Sequence, residues 1–79
     1  MIDVEELPFG TVILEPQNIY NDAIINFDEV LHYSLARLVD SFMEKSDLTY
    51  NQIIEHLYFN TWGYCPEDWP VLVDDLEVI

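Results

Sequence analysis

The chain has 79 residues, of which sixteen are Asp or Glu and only two, Arg37 and Lys45, are basic, giving a formal charge of -14 on a sequence that is 51% hydrophobic. That length suits one small domain, and two Trp, five Tyr and four Phe with a mean hydropathy of +0.07 exclude a disordered acidic tail. The charged fraction, 23%, is ordinary, so the anomaly lies in sign, and a surface of this sign is repelled by DNA and by anionic phospholipid.

Taken in chain order, Leu7-Pro8-Phe9-Gly10 marks a turn before the apolar run Thr11-Val12-Ile13-Leu14, which reads as a short strand ended by Pro16. Ile19-Tyr20 and Ala23-Ile24-Ile25 follow, and the second run suits a strand or a helical turn, with strand preferred. A helix is predicted from Asp28 as N-cap to Lys45. Leu31, Leu35, Leu38 and Phe42 step by four, three and four residues, Val39 and Met43 widen the stripe, and Arg37, Asp40, Ser41 and Glu44 fall on the outer face. A hairpin turning at Asp28-Glu29 is the alternative, and it lacks an Asn-Gly or Asp-Gly signal.

A second helix is expected from Thr49, because Thr49-Tyr50-Asn51-Gln52 matches a capping box. Its inward stripe would be Ile53, Ile54, Leu57 and Tyr58, and Gly63 would end it. Tyr64 to Pro70 reads as a loop because it holds two prolines, and Val71-Leu72-Val73 reads as a buried strand. The expected fold is α+β: a small single domain, residues 1–79, with two α-helices and short β-strands.

Cys65 is the single cysteine, so no intramolecular disulfide can form, which favours a cytoplasmic location. The amino terminus has neither a basic region nor a continuous apolar run, and no stretch reaches the roughly 18 apolar residues of a membrane span. A chain this short has little apolar area to spare, so a homodimer is one expected route to further burial.

Chemical signatures are scarce. Gly10 and Gly63 are the only glycines, so there is no phosphate loop. His32, His56 and Cys65 have no zinc-ligand spacing, and the acid pairs Asp28-Glu29, Glu67-Asp68 and Asp74-Asp75 lack the frame of a calcium loop. No nucleophile, base and orienting group can be assembled. The expectation is a protein that is not an enzyme and carries no cofactor or metal.

What remains is the field of the carboxylates. Near-elimination of bases builds a long-range negative potential whose natural targets are basic surfaces. Asp28, Glu29, Asp40, Glu44, Asp47, Glu55, Glu67, Asp68, Asp74, Asp75 and Glu77 are the candidate partner-binding residues. Carboxylates four apart on a helix, such as Asp40 and Glu44, stand about 5–6 Å apart, the same order as phosphates at about 3.4 Å per strand in B-DNA. Trp62 or Trp69, if exposed beside Glu67 and Asp68, would anchor a partner, although core packing is the commoner role of such side chains.

A short chain with sixteen acids against two bases, an apolar core and no catalytic signature resembles the phage-encoded acidic DNA-mimic inhibitors. That resemblance implies an inhibitor in the host-cell cytoplasm that occupies the nucleic-acid site of a basic DNA-binding protein. The target would be a histone-like nucleoid protein, a restriction enzyme, a CRISPR effector or RNA polymerase. The alternative is an immunity or antitoxin protein that neutralises a basic nuclease or toxin.

Overall fold

The computed structural model describes residues 2–63 and 66–76; Tyr64 and Cys65 of the predicted loop, and the acid Glu77, lie outside the described residues. Three strands, β1 (Ile24–Asp28), β2 (Val30–Ser34) and β3 (Val71–Val73), form one sheet in the order β1-β2-β3. β1 runs antiparallel to β2 and β3 runs parallel to it. The helices are α1 (Gln17–Tyr20), α2 (Leu35–Lys45) and α3 (Tyr50–His56), with 3-10 turns at Val4–Glu6 and Asn21–Ala23 and a π-helical turn at Leu57–Thr61. The fold is a small α+β domain, with three helices where the sequence suggested two; the extra one is the single turn α1.

The largest difference from the sequence reading falls on residues 28–34. The predicted helix begins not at Asp28 but at Leu35, and the preceding residues form the alternative hairpin. Phe27 pairs with Leu31 and Asp28 with Val30, and Glu29 makes the reversal with φ 63. Leu31 and Leu35 suited both periods, which concealed the alternation of β2: Leu31 and Tyr33 are fully buried while Val30 and His32 are partly exposed. Ser34 ends the strand and caps the helix, its hydroxyl accepting the Arg37 N–H at 3.2 Å.

From there α2 follows the predicted stripe. Leu35, Leu38, Val39 and Phe42 are buried in the core, with Lys45 in the last turn. Two positions depart from it. Met43 is exposed, and Ser41, expected on the outer face, is buried with its hydroxyl donating to the Ile19 carbonyl at 2.7 Å. That bond fastens α1 beneath α2, where Tyr20 sets its ring edge-on to Tyr33 and Phe42 at 5.8 and 5.5 Å between centroids.

Residues 11–14 are not a strand. The Leu14 N–H donates to the Tyr33 hydroxyl at 3.1 Å in the interior, so a side chain supplies the acceptor that a neighbouring strand would have offered. Of the run expected as strand at 23–25, Ile24 and Ile25 lie in β1 and Ala23 closes the preceding 3-10 turn.

α3 begins at the predicted capping box: Thr49 accepts the Gln52 N–H at 3.3 Å and the Gln52 side chain accepts the Thr49 N–H at 2.9 Å. Ile53 and Leu57 are fully buried. The π turn then closes with the Trp62 N–H on the Leu57 carbonyl at 2.8 Å. Bonding five residues back inserts an extra residue into the turn, and Tyr58, expected to face inward, is exposed. Gly63 follows at a close approach: a Cβ there would stand 2.2 Å from the Phe59 carbonyl oxygen. β3 forms where expected, beside β2, but it is not the buried strand the sequence suggested: Val71 is exposed and Leu72 and Val73 are only partly buried, at the edge of the three-stranded sheet.

Candidate functional site

Every acid of the chain except Glu77 lies in the described residues, and all of them are exposed. Burying a charge without a partner is costly, so the apolar half of the chain fills the interior and the carboxylates are left on the outside. Among the described residues there is one ion pair, Lys45 Nζ to Asp22 at 2.6 Å, and Lys45 also donates to the Asn18 carbonyl. One of the two bases is thereby spent on the α1–α2 junction.

The predicted partner-binding residues are spread over several elements. Asp40 and Glu44 stand one turn apart on the outer face of α2, Asp47 lies in the α2–α3 connection, and Glu55 lies on α3. Asp28 and Glu29 form the turn of the hairpin. Glu67 and Asp68 sit in a turn closed by the Trp69 N–H on the Pro66 carbonyl at 3.0 Å. Asp74 and Asp75 leave the end of β3 where Val73 pairs with Ser34, so they are near the start of α2. The hairpin turn lies at the far end of β2, roughly 17 Å away along the strand.

Asp75 has a structural role. Its carboxylate accepts the Ala36 N–H at 2.9 Å and the Ser34 hydroxyl at 2.5 Å, two groups at the first turn of α2. These bonds, the Ala36 amide foremost, with a smaller contribution from the positive charge of Arg37, hold the Asp75 carboxyl below its ordinary value.

The two tryptophans are packed. Trp62 donates its indole N–H to the Pro70 carbonyl at 2.8 Å and meets Tyr33 edge-on, and both Trp62 and Trp69 lie against the core. The exposed aromatic surface lies elsewhere. Phe9 protrudes fully from the tip of a turn in which Gly10 takes φ 90 and the Thr11 N–H bonds the Pro8 carbonyl. Phe59 is 75% exposed, and Tyr50 and Tyr58 are 46% and 41% exposed. Sequence reasoning missed all four as surface residues. The π turn that turns Tyr58 outward has no sequence signature.

A groove of about 490 Å³ is lined by Leu14, Glu15, Tyr20, His56, Thr61 and Trp69, among others. It brings one carboxylate and one imidazole to an open surface, with no nucleophile held by a base. Among the described residues no cluster of three or more His, Cys, Asp or Glu side chains could hold a metal ion, and no helix is long and apolar enough to cross a membrane. No protein-family model, curated protein or solved structure matches the chain.

Proposed function

We propose that this chain is a DNA-mimic inhibitor that acts without catalysis, occupying the basic nucleic-acid-binding surface of a DNA-binding protein. The observation that carries this reading is the near-complete absence of internal neutralisation. Every described carboxylate is exposed, and among the described residues a single ion pair, Lys45 with Asp22, engages one of them. A domain selected only for solubility can intersperse both signs; this one keeps its field uncompensated, at the cost of self-repulsion.

The dimensions support the reading. The longest extent of the fold is 35 Å, close to one turn of B-DNA, about 34–36 Å. A duplex of that length bears about 20 phosphate charges at one per roughly 1.7 Å, so the chain carries about two-thirds as much. A groove that releases counterions when it binds DNA would release them for such a body too.

In this reading the chain is phage-encoded, works in the host cytoplasm, and meets a histone-like nucleoid protein, a restriction enzyme, a CRISPR effector or RNA polymerase. The test is competition. The purified chain should displace labelled duplex DNA from one of these proteins at stoichiometric concentration. Binding to a basic nuclease that leaves its DNA in place would instead assign the chain to the immunity class.

A further inference from the structure

Thr11-Val12-Ile13-Leu14 has the β-branched composition of a strand, yet it stands outside the sheet. Its backbone is tied at two places only. The Thr11 N–H donates to the Pro8 carbonyl at 3.1 Å, and the Leu14 N–H donates to the Tyr33 hydroxyl at 3.1 Å. Among the described residues, the amides of Val12 and Ile13 and the carbonyls of 11–14 find no partner within the fold. Thr11, Val12 and Ile13 are partly exposed, so these groups are left to water. Unpaired amides and carbonyls along a strand-forming sequence are a template for another strand.

The same segment lines the groove of about 490 Å³, where Val12, Ile13 and Leu14 meet Tyr20 and Trp69. That volume lies within the range of clefts that take a large apolar group. Glu15 is the one carboxylate among the lining residues, and neither of the two bases lines the groove. The occupant it suits is apolar at its centre and cationic beside Glu15. A second copy of this chain fits poorly, because it would bring another Glu15 and a further formal charge of -14. A basic protein brings the opposite sign.

When an extended peptide adds to a free strand edge, main-chain hydrogen bonds supply the affinity and side-chain pockets supply the choice. Both parts are present here. We infer that residues 11–14 accept an extended segment of the basic partner, which pairs its backbone with Val12 and Ile13, seats an apolar side chain in the groove and turns a lysine or arginine to Glu15. This rests on the reading that the chain binds a basic protein, and it names the form in which that partner is gripped.

The probe is the peptide acetyl-Lys-Val-Phe-Val-Lys-amide, with two copies of it methylated on alternate backbone nitrogens, one copy for each edge. All three carry the same charge and the same side chains. Affinity is read by chemical-shift titration of the full chain at low salt, and pairing by amide hydrogen exchange. The unmodified peptide should slow exchange at Val12 and Ile13, and one methylated copy should bind at least about fivefold more weakly, the cost of two lost hydrogen bonds. Glu15→Gln should weaken the unmodified peptide about twofold with an unchanged melting temperature. Equal binding of all three peptides, with no slowing at Val12 and Ile13, overturns strand pairing and leaves the acidic mimic standing. Slowing that appears with rising concentration of the chain alone assigns the edge to a second copy and overturns it too. If no peptide binds while DNA is still displaced from a basic protein, only this inference falls; if neither occurs, both readings fall.

Discussion

Asp75 reaches from the end of β3 to the start of α2, where its carboxylate accepts the Ser34 hydroxyl at 2.5 Å while that same hydroxyl accepts the Arg37 N–H at 3.2 Å. With the Ala36 N–H on the other carboxylate oxygen at 2.9 Å, one acid some forty residues away in sequence caps the longest helix and ties the third strand to it. Losing a helix cap typically costs about 1 kcal/mol. Asp75→Ala should therefore lower the melting temperature at pH 7 by about 4–8 °C.

The pH dependence of that loss has a definite sign. The folded-state carboxyl is held below its ordinary value of 3.8 by the Ala36 and Ser34 donors, so the cap contributes fully above the unfolded-state pKa of about 3.9. Its contribution fades as pH falls through the lower folded-state value. Thermal melts of the parent chain and Asp75→Ala should differ at pH 7 and converge under strongly acidic conditions. A difference that persists undiminished in acid would mean that the cap is not ionic.

The Tyr33 hydroxyl is the sole partner shown for the buried Leu14 N–H. Removing it strands a donor in the interior, which costs roughly 1–3 kcal/mol, a large share of what a core of this size supplies, about 3–5 kcal/mol. Tyr33→Phe should reduce the urea midpoint accordingly, with Leu14 losing hydrogen-exchange protection first. A midpoint equal to that of the parent would show that the 11–14 segment is held in some other way.

The hairpin yields a fourth expectation and shows what the sequence could reveal. Glu29 turns the chain with φ 63, a conformation that costs an L-residue about 1–2 kcal/mol and a β-branched one more. Glu29→Val should fall below Glu29→Gly by at least about 1 kcal/mol in chemical denaturation; equal stability would place the reversal elsewhere.

The absence of a glycine or asparagine at that same position is why the hairpin was not legible. Turn chemistry pointed one way and tertiary pairing won, because Leu31 and Tyr33 find the core only as alternating strand residues. The capping box at Thr49, the α2 stripe from Leu35 and the strand at Val71–Val73 were all legible, since each rests on local spacing. The Asp75 cap and the outward turn of Tyr58 were not. The first joins residues distant in sequence, and the second follows from a π turn that shifts the helical phase.

Self-repulsion should be measurable without any partner. Screening acts over a Debye length of about 30 Å at 0.01 M salt and about 3 Å at 1 M. The melting temperature should therefore rise as sodium chloride is added, since the compact state holds its carboxylates closest together. A fall would mean that attractive pairs outweigh the repulsion. Charge reversal is best placed at Asp40 with Glu44, because reversal at Asp75 would confuse partner contact with loss of the helix cap.

The decisive observation is displacement of fluorescent duplex DNA from a purified histone-like nucleoid protein, restriction enzyme, CRISPR effector or RNA polymerase, followed at several salt concentrations. Competition with at least one of them should be strong in dilute buffer and weaken steeply as salt rises. If the DNA stays bound to every one of them even at the lowest ionic strength, the carboxylates of this chain do not stand in for phosphates.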